Sequence, residues 1–368
     1  MIVIVAYESL PNNSPGAIRC FNLARAYSLL GHEVVILHKG EYFSGDNPKI
    51  ISFYHKNRLK RYFGFTDRVL SYLDDVKKKV KIEAVITYGY FRSIVQWCSR
   101  NDVKCVADVV EWYSREQFKR WFLSIDYLKK EYDIRHIARS KVNVIAISSY
   151  LEQYFRQQGC KTVRIPILAE KSAEWGNRII GGKKMRIIYA GSHLLMDNVI
   201  PMISTFLSLD IDVKKRVEFC IYGISRESIL KYLPEVESAD SEGLIKIYGR
   251  KPNEEVLEAY RHSHFSILLR DPDLRVNKAG FPSKVIESMK MGVPVICNYS
   301  SDLALYLKDG ENSIISDNIF PAELKKAILK ALNLKSSEYE NLSRNALNTV
   351  ERCFDISSFA KECEDIIR

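Results

Sequence analysis

Residues 280–298 read Gly-Phe-Pro-Ser-Lys-Val-Ile-Glu-Ser-Met-Lys-Met-Gly-Val-Pro-Val-Ile-Cys-Asn, which spells loop, helix, tight turn and buried strand. Gly280 frees the entry, and Pro282 suits a first helical turn, where its missing N–H is no loss. Gly292 stands where a left-handed helix stop is wanted, and 293–297 is a short apolar strand. Val285, Ile286 and Met289 share one side of a 3.6-residue wheel; Lys284, Glu287 and Met291 fall roughly opposite. The helix therefore packs by one face and shows an ammonium and a carboxylate on the other. Its start offers free backbone N–H groups and a positive dipole end, a ready anion site. Taken alone, the stretch is equally an amphipathic helix with a Lys284–Glu287 surface pair, worth a few tenths of a kcal/mol.

The rest of the chain repeats this alternation. Strand 2–6 leads through a loop with Pro11, Asn12, Asn13, Pro15 and Gly16 into a helix over 17–30 that ends at Gly31, and strand 33–37 follows. A β-loop-α-β unit predicts a parallel sheet, and Gly16 lies where such units hold ligands, beyond a strand's carboxyl end and at a helix N-terminus. Further strands are expected at 84–87, 104–108, 142–147 and 163–167, with a helical, basic-aromatic stretch over 115–132. Residues 50–81 have no regular pattern until a helix with Leu70, Leu73 and Val76. The charged, Gly-containing segment 169–184 is the expected domain boundary. A second strand series is expected at 186–190, 218–222, 245–248, 265–269 and 293–297, and helices close the chain at 321–333, 336–353 and 356–368.

Composition bounds the function classes. The 368 residues are 46% hydrophobic and 27% charged, enough for two domains. No run of eighteen apolar residues exists, so no membrane span is expected, and 1–6 reads as a first strand instead of a signal peptide. The eight cysteines form no C-x-x-C pair and the seven histidines no metal-binding pattern, so reduced buried thiols and no metal centre are expected. The formal net charge of +10 favours anionic partners without choosing among them.

Certain landmarks resemble a family when taken in order: Gly16, Gly31-His32-Glu33-Val34, Ile147-Ser148-Ser149, Tyr189-Ala190-Gly191-Ser192, Ile221-Tyr222-Gly223, Ile247-Tyr248-Gly249 and Pro252 to Tyr260, then 268–294. They are similar to the GT-B glycosyltransferases related to glycogen and sucrose synthases, commonly called family 4, and 268–294 is similar to the bacterial capsule and O-antigen branch. The resemblance implies an α/β fold of two doubly wound Rossmann-like domains facing across a cleft. The first, 1–170, would take the acceptor; the second, 171–355, the nucleotide-sugar donor; 356–368 would cross back to the first. It also implies a donor ribose on Glu287, a diphosphate near Gly280, Phe281, Pro282 and Ser283, Gly191, Ser192 and Gly223 beside the donor, and Gly16 facing the phosphates or the acceptor; His193, just after Gly191 at a strand end, reads equally as a donor contact or a satisfied loop histidine. The sequence departs from the family in two places. The first acid of the paired-glutamate motif falls at Ala279, and the phosphate-binding Arg and Lys fall at Ser192 and Asp197. Either the diphosphate's cations come from elsewhere, or the donor differs, or the protein is not catalytic; for the first, Arg270 and Lys284 are the leading candidates, followed by Lys278 and then Arg275.

Asp108 and Glu111 follow a first-domain strand, as acceptor-side groups or a general base; a buried structural pair explains them equally well. Asp271-Pro272-Asp273 is a D-x-D, read here as a solvated loop, so no metal or other cofactor is expected. The basic-aromatic stretches 54–65 and 115–132 carry no nucleic-acid motif and suit an anionic membrane surface better. The expected activity is transfer of a sugar from a nucleoside-diphosphate sugar to a hydroxyl of a glycan or lipid-linked glycan. Retention and metal-independence are implied by the resemblance, in surface polysaccharide synthesis, by a cytoplasmic protein on the inner face of the membrane. The alternatives are a sugar-nucleotide epimerase of the same architecture and a non-catalytic glycan-binding subunit.

Overall fold

The structure, a computed structural model, describes residues 1–6, 10, 14–41, 48–54, 56, 64–118, 120–169, 184–241 and 243–368. Most of the boundary segment 169–184 and of the stretch 54–65 lies outside the described residues. The chain divides into two compact units: Met1–Leu168 with Ala279–Phe281 and Phe354–Arg368, and Ala169–Lys278 with Pro282–Cys353.

The first unit holds strands β1 (Ile2–Ala6), β2 (Val34–His38), β3 (Lys49–Ser52), β4 (Ala84–Tyr88), β5 (Lys104–Val109), β6 (Asn143–Ala146) and β7 (Thr162–Arg164). They form one parallel sheet in the order β3-β2-β1-β4-β5-β6-β7. Strands β1, β2 and β4 are apolar nearly throughout because helices cover both faces. Ile2, Ile4 and Ala6 pack on one face with Ala17, Leu23 and Tyr27 of the helix Pro15–Leu29 and with Ile356, Cys363 and Ile366 of the C-terminal segment. Val3 and Val5 pack on the other with Val69, Leu73, Ile94 and Trp97. Gly31 sits at φ 87°, a left-handed stop that a β-carbon would strain.

The second unit holds β8 (Met185–Ala190), β9 (Val217–Tyr222), β10 (Ile245–Gly249), β11 (Phe265–Leu268), β12 (Val295–Cys297) and β13 (Ser313–Ile315), parallel in the order β10-β9-β8-β11-β12-β13. The order reverses between β8 and β11, the switch point at which doubly wound sheets open a crevice beyond their strand ends.

Two strands were not legible. Lys49–Ser52 and Ser313–Ile315 are short and lie at sheet edges, so neither carries the apolar run of a central strand. The helix expected over 115–132 is instead two 3-10 turns, Arg115–Gln117 and Trp121–Leu123, then a helix Ile125–Ser140. Ser124 is the reason: its Oγ accepts from Tyr127 N and starts the helix there.

Candidate functional site

The loop-helix-turn-strand reading of 280–298 holds. The helix spans Ser283–Met289, Gly292 takes φ 67°, and Val285, Ile286 and Met289 are buried. Met291, expected on the outer face, is buried as well, against Ile188, Tyr260 and Val293. No Lys284–Glu287 pair forms. The Lys284 ammonium runs inward to Asp197, which also binds Arg270 Nε at 2.8 Å and accepts from the Tyr189 hydroxyl at 2.8 Å.

Four elements assemble this cluster. Tyr189 is the penultimate residue of β8, Asp197 lies just before the left-handed Asn198 that opens the helix Val199–Leu207, Arg270 follows β11, and Lys284 lies in the first turn of its own helix. Arg270 is held at both backbone atoms by one side chain: its N–H donates to Asn298 Oδ1 and its carbonyl accepts from Asn298 Nδ2, at 2.9 and 2.8 Å. Lys284 reaches Asp197 past Gly191, where a β-carbon would fall 2.1 Å from Lys284 Cε. Gly223, at φ 90°, brings its α-carbon against the Gly191 carbonyl, where a β-carbon would fall 2.5 Å from that oxygen. The two glycines thus bring two strand-end backbones and a lysine into a space no larger residue would leave.

The electrostatics follow from burial. The Asp197 side chain has no exposure, Arg270 has 9% and Lys284 16%. Burial alone would raise the Asp197 pKa, but Arg270 and Lys284 overcome it and bring it down to about 2. Burial lowers the Lys284 pKa, against the pull of Asp197. The Tyr189 hydroxyl is pushed up by burial and by Asp197. With one carboxylate between two cations, the cluster carries a net positive charge. Arg270 bonds Asp197 through Nε only, and among the described residues its two terminal nitrogens have no partner. A side chain buried to nine-tenths with open guanidinium donors has the chemistry to receive an anion.

Glu287, half-buried, has no hydrogen-bond or ion-pair partner among the described residues. Ser192 and His193 are exposed after β8, and Ser283 is half-buried. Lys278 stands 3.7 Å from Asp273 on the other side of its loop. The Asp271 carboxylate accepts from the Asp273 N–H, so the D-x-D closes its own turn. Phe281 is buried against the Phe354 ring and Pro282 is buried beside it in sequence.

In the first unit, Gly16 is buried inside the first turn of the helix Pro15–Leu29 instead of in a loop. Asp108 requires a correction as a base candidate. Arg19 Nε and Nη2 each donate to one of its oxygens at 2.7 Å, and Arg19 also donates to the carbonyls of Pro166 and Ile165. Both oxygens are occupied by a cation that never gives up its proton, so Asp108 is a buried clamp. Glu111 is half-open, 3.1 Å from Lys130, on a cavity of about 570 Å³ lined by Tyr88, Tyr90, Tyr113, Asp126 and Asp133. Arg19, Asp197 and Tyr189 went unremarked as site residues. The available signal was the surplus of cations in apolar settings, Leu-Leu-Arg and Pro-Ser-Lys-Val-Ile, which requires a buried acid somewhere.

Residues 175–349 match the family model of Glycosyl transferases group 1. No curated protein sequence matches the chain. Among solved structures, the chain is similar to sucrose-phosphate synthase from Thermosynechococcus elongatus at TM-score 0.72 and 14% identity, covering 99% of this chain and 97% of that one. It is similar to WaaG, a glycosyltransferase involved in lipopolysaccharide biosynthesis, at 0.69 and 13%, covering 100% and 99%. It is also similar to HepE from Anabaena, solved with UDP and glucose, at 0.68 and 12%, covering 99% and 98%. These likenesses establish a GT-B fold. Residues 175–349 are a Glycosyl transferases group 1 domain, and by that domain the chain is a glycosyltransferase.

Proposed function

We propose that the chain moves a sugar from a nucleoside-diphosphate donor held by its second unit to a hydroxyl of a glycan or lipid-linked glycan, in surface polysaccharide synthesis. The observation that carries this is Arg270, buried by Asp197 yet with its terminal donors open, at the β8–β11 switch point. Arg270 receives the diphosphate there, with Lys284 supplying charge from behind Asp197. The backbones at Gly191 and Gly223 let the diphosphate approach closely, and the uncommitted Glu287 carboxylate accepts from ribose hydroxyls. The solved HepE holds UDP or UDP-glucose, and TarM was solved with UDP, α-GlcNAc-glycerol and fondaparinux, which supports this donor class and a glycan acceptor.

Catalysis on this reading is positioning plus stabilisation of the departing diphosphate by preorganised cations, with retention and without a metal. Glu111, with the aromatic walls of its cavity, is the acceptor-side group. The membrane contact extends the reading: Trp121, Phe122, Leu123, Ile125 and Leu128 stand exposed, Ile125 at 80%, on a protein of net charge +10. Among the described residues no helix is long and apolar enough to cross a membrane.

The test is a panel of sugar nucleotides read by thermal shift, followed by transfer to glycan acceptors. A donor stabilises the fold in proportion to RT ln(1 + [L]/Kd). Stabilisation by one nucleotide class, lost in Arg270→Gln, is expected. Glycan binding without any nucleotide response would favour the non-catalytic glycan-binding reading. Conversion of a sugar nucleotide with no acceptor present would favour the epimerase.

A further inference from the structure

The helix Ile125–Ser140 carries two unlike faces. Lys130 and Asp133 turn to the 570 Å³ cavity. Arg135, His136 and Arg139 turn to a separate groove of about 320 Å³, completed by Arg115, Trp121 and Tyr132. Three guanidinium side chains line it. Arg115 lies over the Trp121 ring at 4.8 Å and donates from Nε to the Tyr127 hydroxyl. Arg139 has no partner among the described residues. Arg135 is 3.5 Å from Glu131, the one carboxylate among the described residues that line the groove, whose other oxygen accepts from the Trp112 indole N–H at 2.8 Å. His136 stacks on Tyr132 at 3.6 Å and places Nδ1 3.0 Å from the Tyr132 carbonyl, so Nδ1 carries the hydrogen. Histidine aside, three guanidinium groups face one carboxylate, and these four side chains sum to +2.

That charge on planar, forked donors matches a phosphate ester. The rim specifies the ester further. Phe122, Leu123, Ile125 and Leu128 are all exposed along the same segment, with Trp121 edge-on to Phe122. A soluble phosphate would leave these side chains in water. A bilayer supplies phosphate at headgroup depth and apolar volume just beneath it.

We propose that this groove seats the phosphate of an anionic phospholipid headgroup while the Trp121–Leu128 rim enters the interfacial layer. The inference rests on the membrane reading above and turns diffuse charge attraction into one built site. A purely structural part for Arg139, as a cation at a helix C-terminus, would leave lipid binding untouched.

The test is co-sedimentation of the full chain with phosphatidylcholine vesicles, with and without phosphatidic acid, at physiological ionic strength. Binding should require phosphatidic acid. Arg135→Gln/Arg139→Gln should lower partitioning at least about tenfold, since each basic group at the surface contributes to the attraction. Lys215→Gln/Lys308→Gln removes the same charge from lysines 71% and 70% exposed, and should lower it by no more than about twofold by the same rule. Phe122→Ser/Leu123→Ser should weaken binding with no change in melting temperature or donor response. Equal losses in the two charge-matched pairs would overturn the site and leave only general attraction. Equal binding to both vesicle types overturns phosphate recognition. A change of oligomeric state in Phe122→Ser/Leu123→Ser gives the rim to a second copy of the chain and overturns the proposal. No vesicle binding by the parent chain overturns the membrane reading too, while the donor panel stands or falls separately.

Discussion

Each unit buries one arginine against one aspartate, and the two pairs serve opposite ends. In the first unit Arg19 gives Nε and Nη2 to Asp108 and reaches the carbonyls of Ile165 and Pro166 as well, so four of its five N–H donors are used. In the second, Arg270 gives Asp197 only Nε, and Asp197 is shared with Lys284 and Tyr189. Burial and residue types are nearly the same. What separates a clamp from a receptor is how many donors are left over. A buried pair with most donors used holds two elements together; one with most donors open can also bind an anion.

The sharpest way to break this comparison is to remove the arginines one at a time. Arg19→Leu strands Asp108 in the core and should cost about 3–5 kcal/mol of stability in urea unfolding, the range for a buried pair that loses one partner. Donor affinity of the folded fraction should stay unchanged. A stable Arg19→Leu protein with weakened donor binding would erase the distinction between the two pairs.

Acid should separate the units next. His38 is fully buried, its Nδ1 accepts from the Leu10 and Gly40 N–H groups, and its Nε2 has no partner among the described residues. Burial lowers its pKa from 6.5 to about 4. The folded state then holds fewer protons than the unfolded chain between those values, so stability falls as pH drops from 6.5 to 4. A shift of this size corresponds to about 3 kcal/mol. Asp197 works in a lower window: its pKa is depressed from 3.8 to about 2, so its contribution is intact above 3.8 and is lost as pH falls through 2. Urea unfolding from pH 7 to 4, with NMR of the His38 ring, checks the order; a ring already protonated at pH 6 would contradict it.

Arg270→Gln should weaken donor binding by about 1.5–3 kcal/mol, the range for hydrogen bonds to charged groups. Isothermal titration with the nucleotide found in the panel measures this, and unchanged affinity would move the diphosphate elsewhere. Its melting temperature should also drop, because Asp197 keeps only Lys284 and Tyr189. Gly191→Ala should act through Lys284, since its β-carbon overlaps Lys284 Cε. Its effect on donor affinity should shrink in a Lys284→Ala background, where the overlapping side chain is gone and the two sites cease to couple. Additive losses would mean that Gly191 acts by its backbone alone. The smallest expected effect is Glu287→Gln, about 0.5–1.5 kcal/mol in donor affinity. A 2′,3′-dideoxy donor analogue should be insensitive to it.

Most of the fold was legible because it is written at short range. Apolar runs such as Ile2–Ala6 and Phe265–Leu268 declare central strands, and Gly31 and Gly292 take the left-handed φ that the helix stops demanded. Ser124 was overlooked, so the helix Ile125–Ser140 was expected ten residues too early, and the edge strands Lys49–Ser52 and Ser313–Ile315 were too short and mixed to stand out. The sequence by itself determined that Arg270 and Lys284 sit near a strand end and a helix start, and that Asp108 and Asp197 were present. Which acid meets which cation was decided only in three dimensions. Asp197 finds Arg270 and Lys284 from 73 and 87 residues away, and Arg19 finds Asp108 across 89. Local propensity acts over a few residues, whereas a buried charge takes the partner that the packed sheet delivers. Tertiary structure therefore fixed which guanidinium was spent and which was left open.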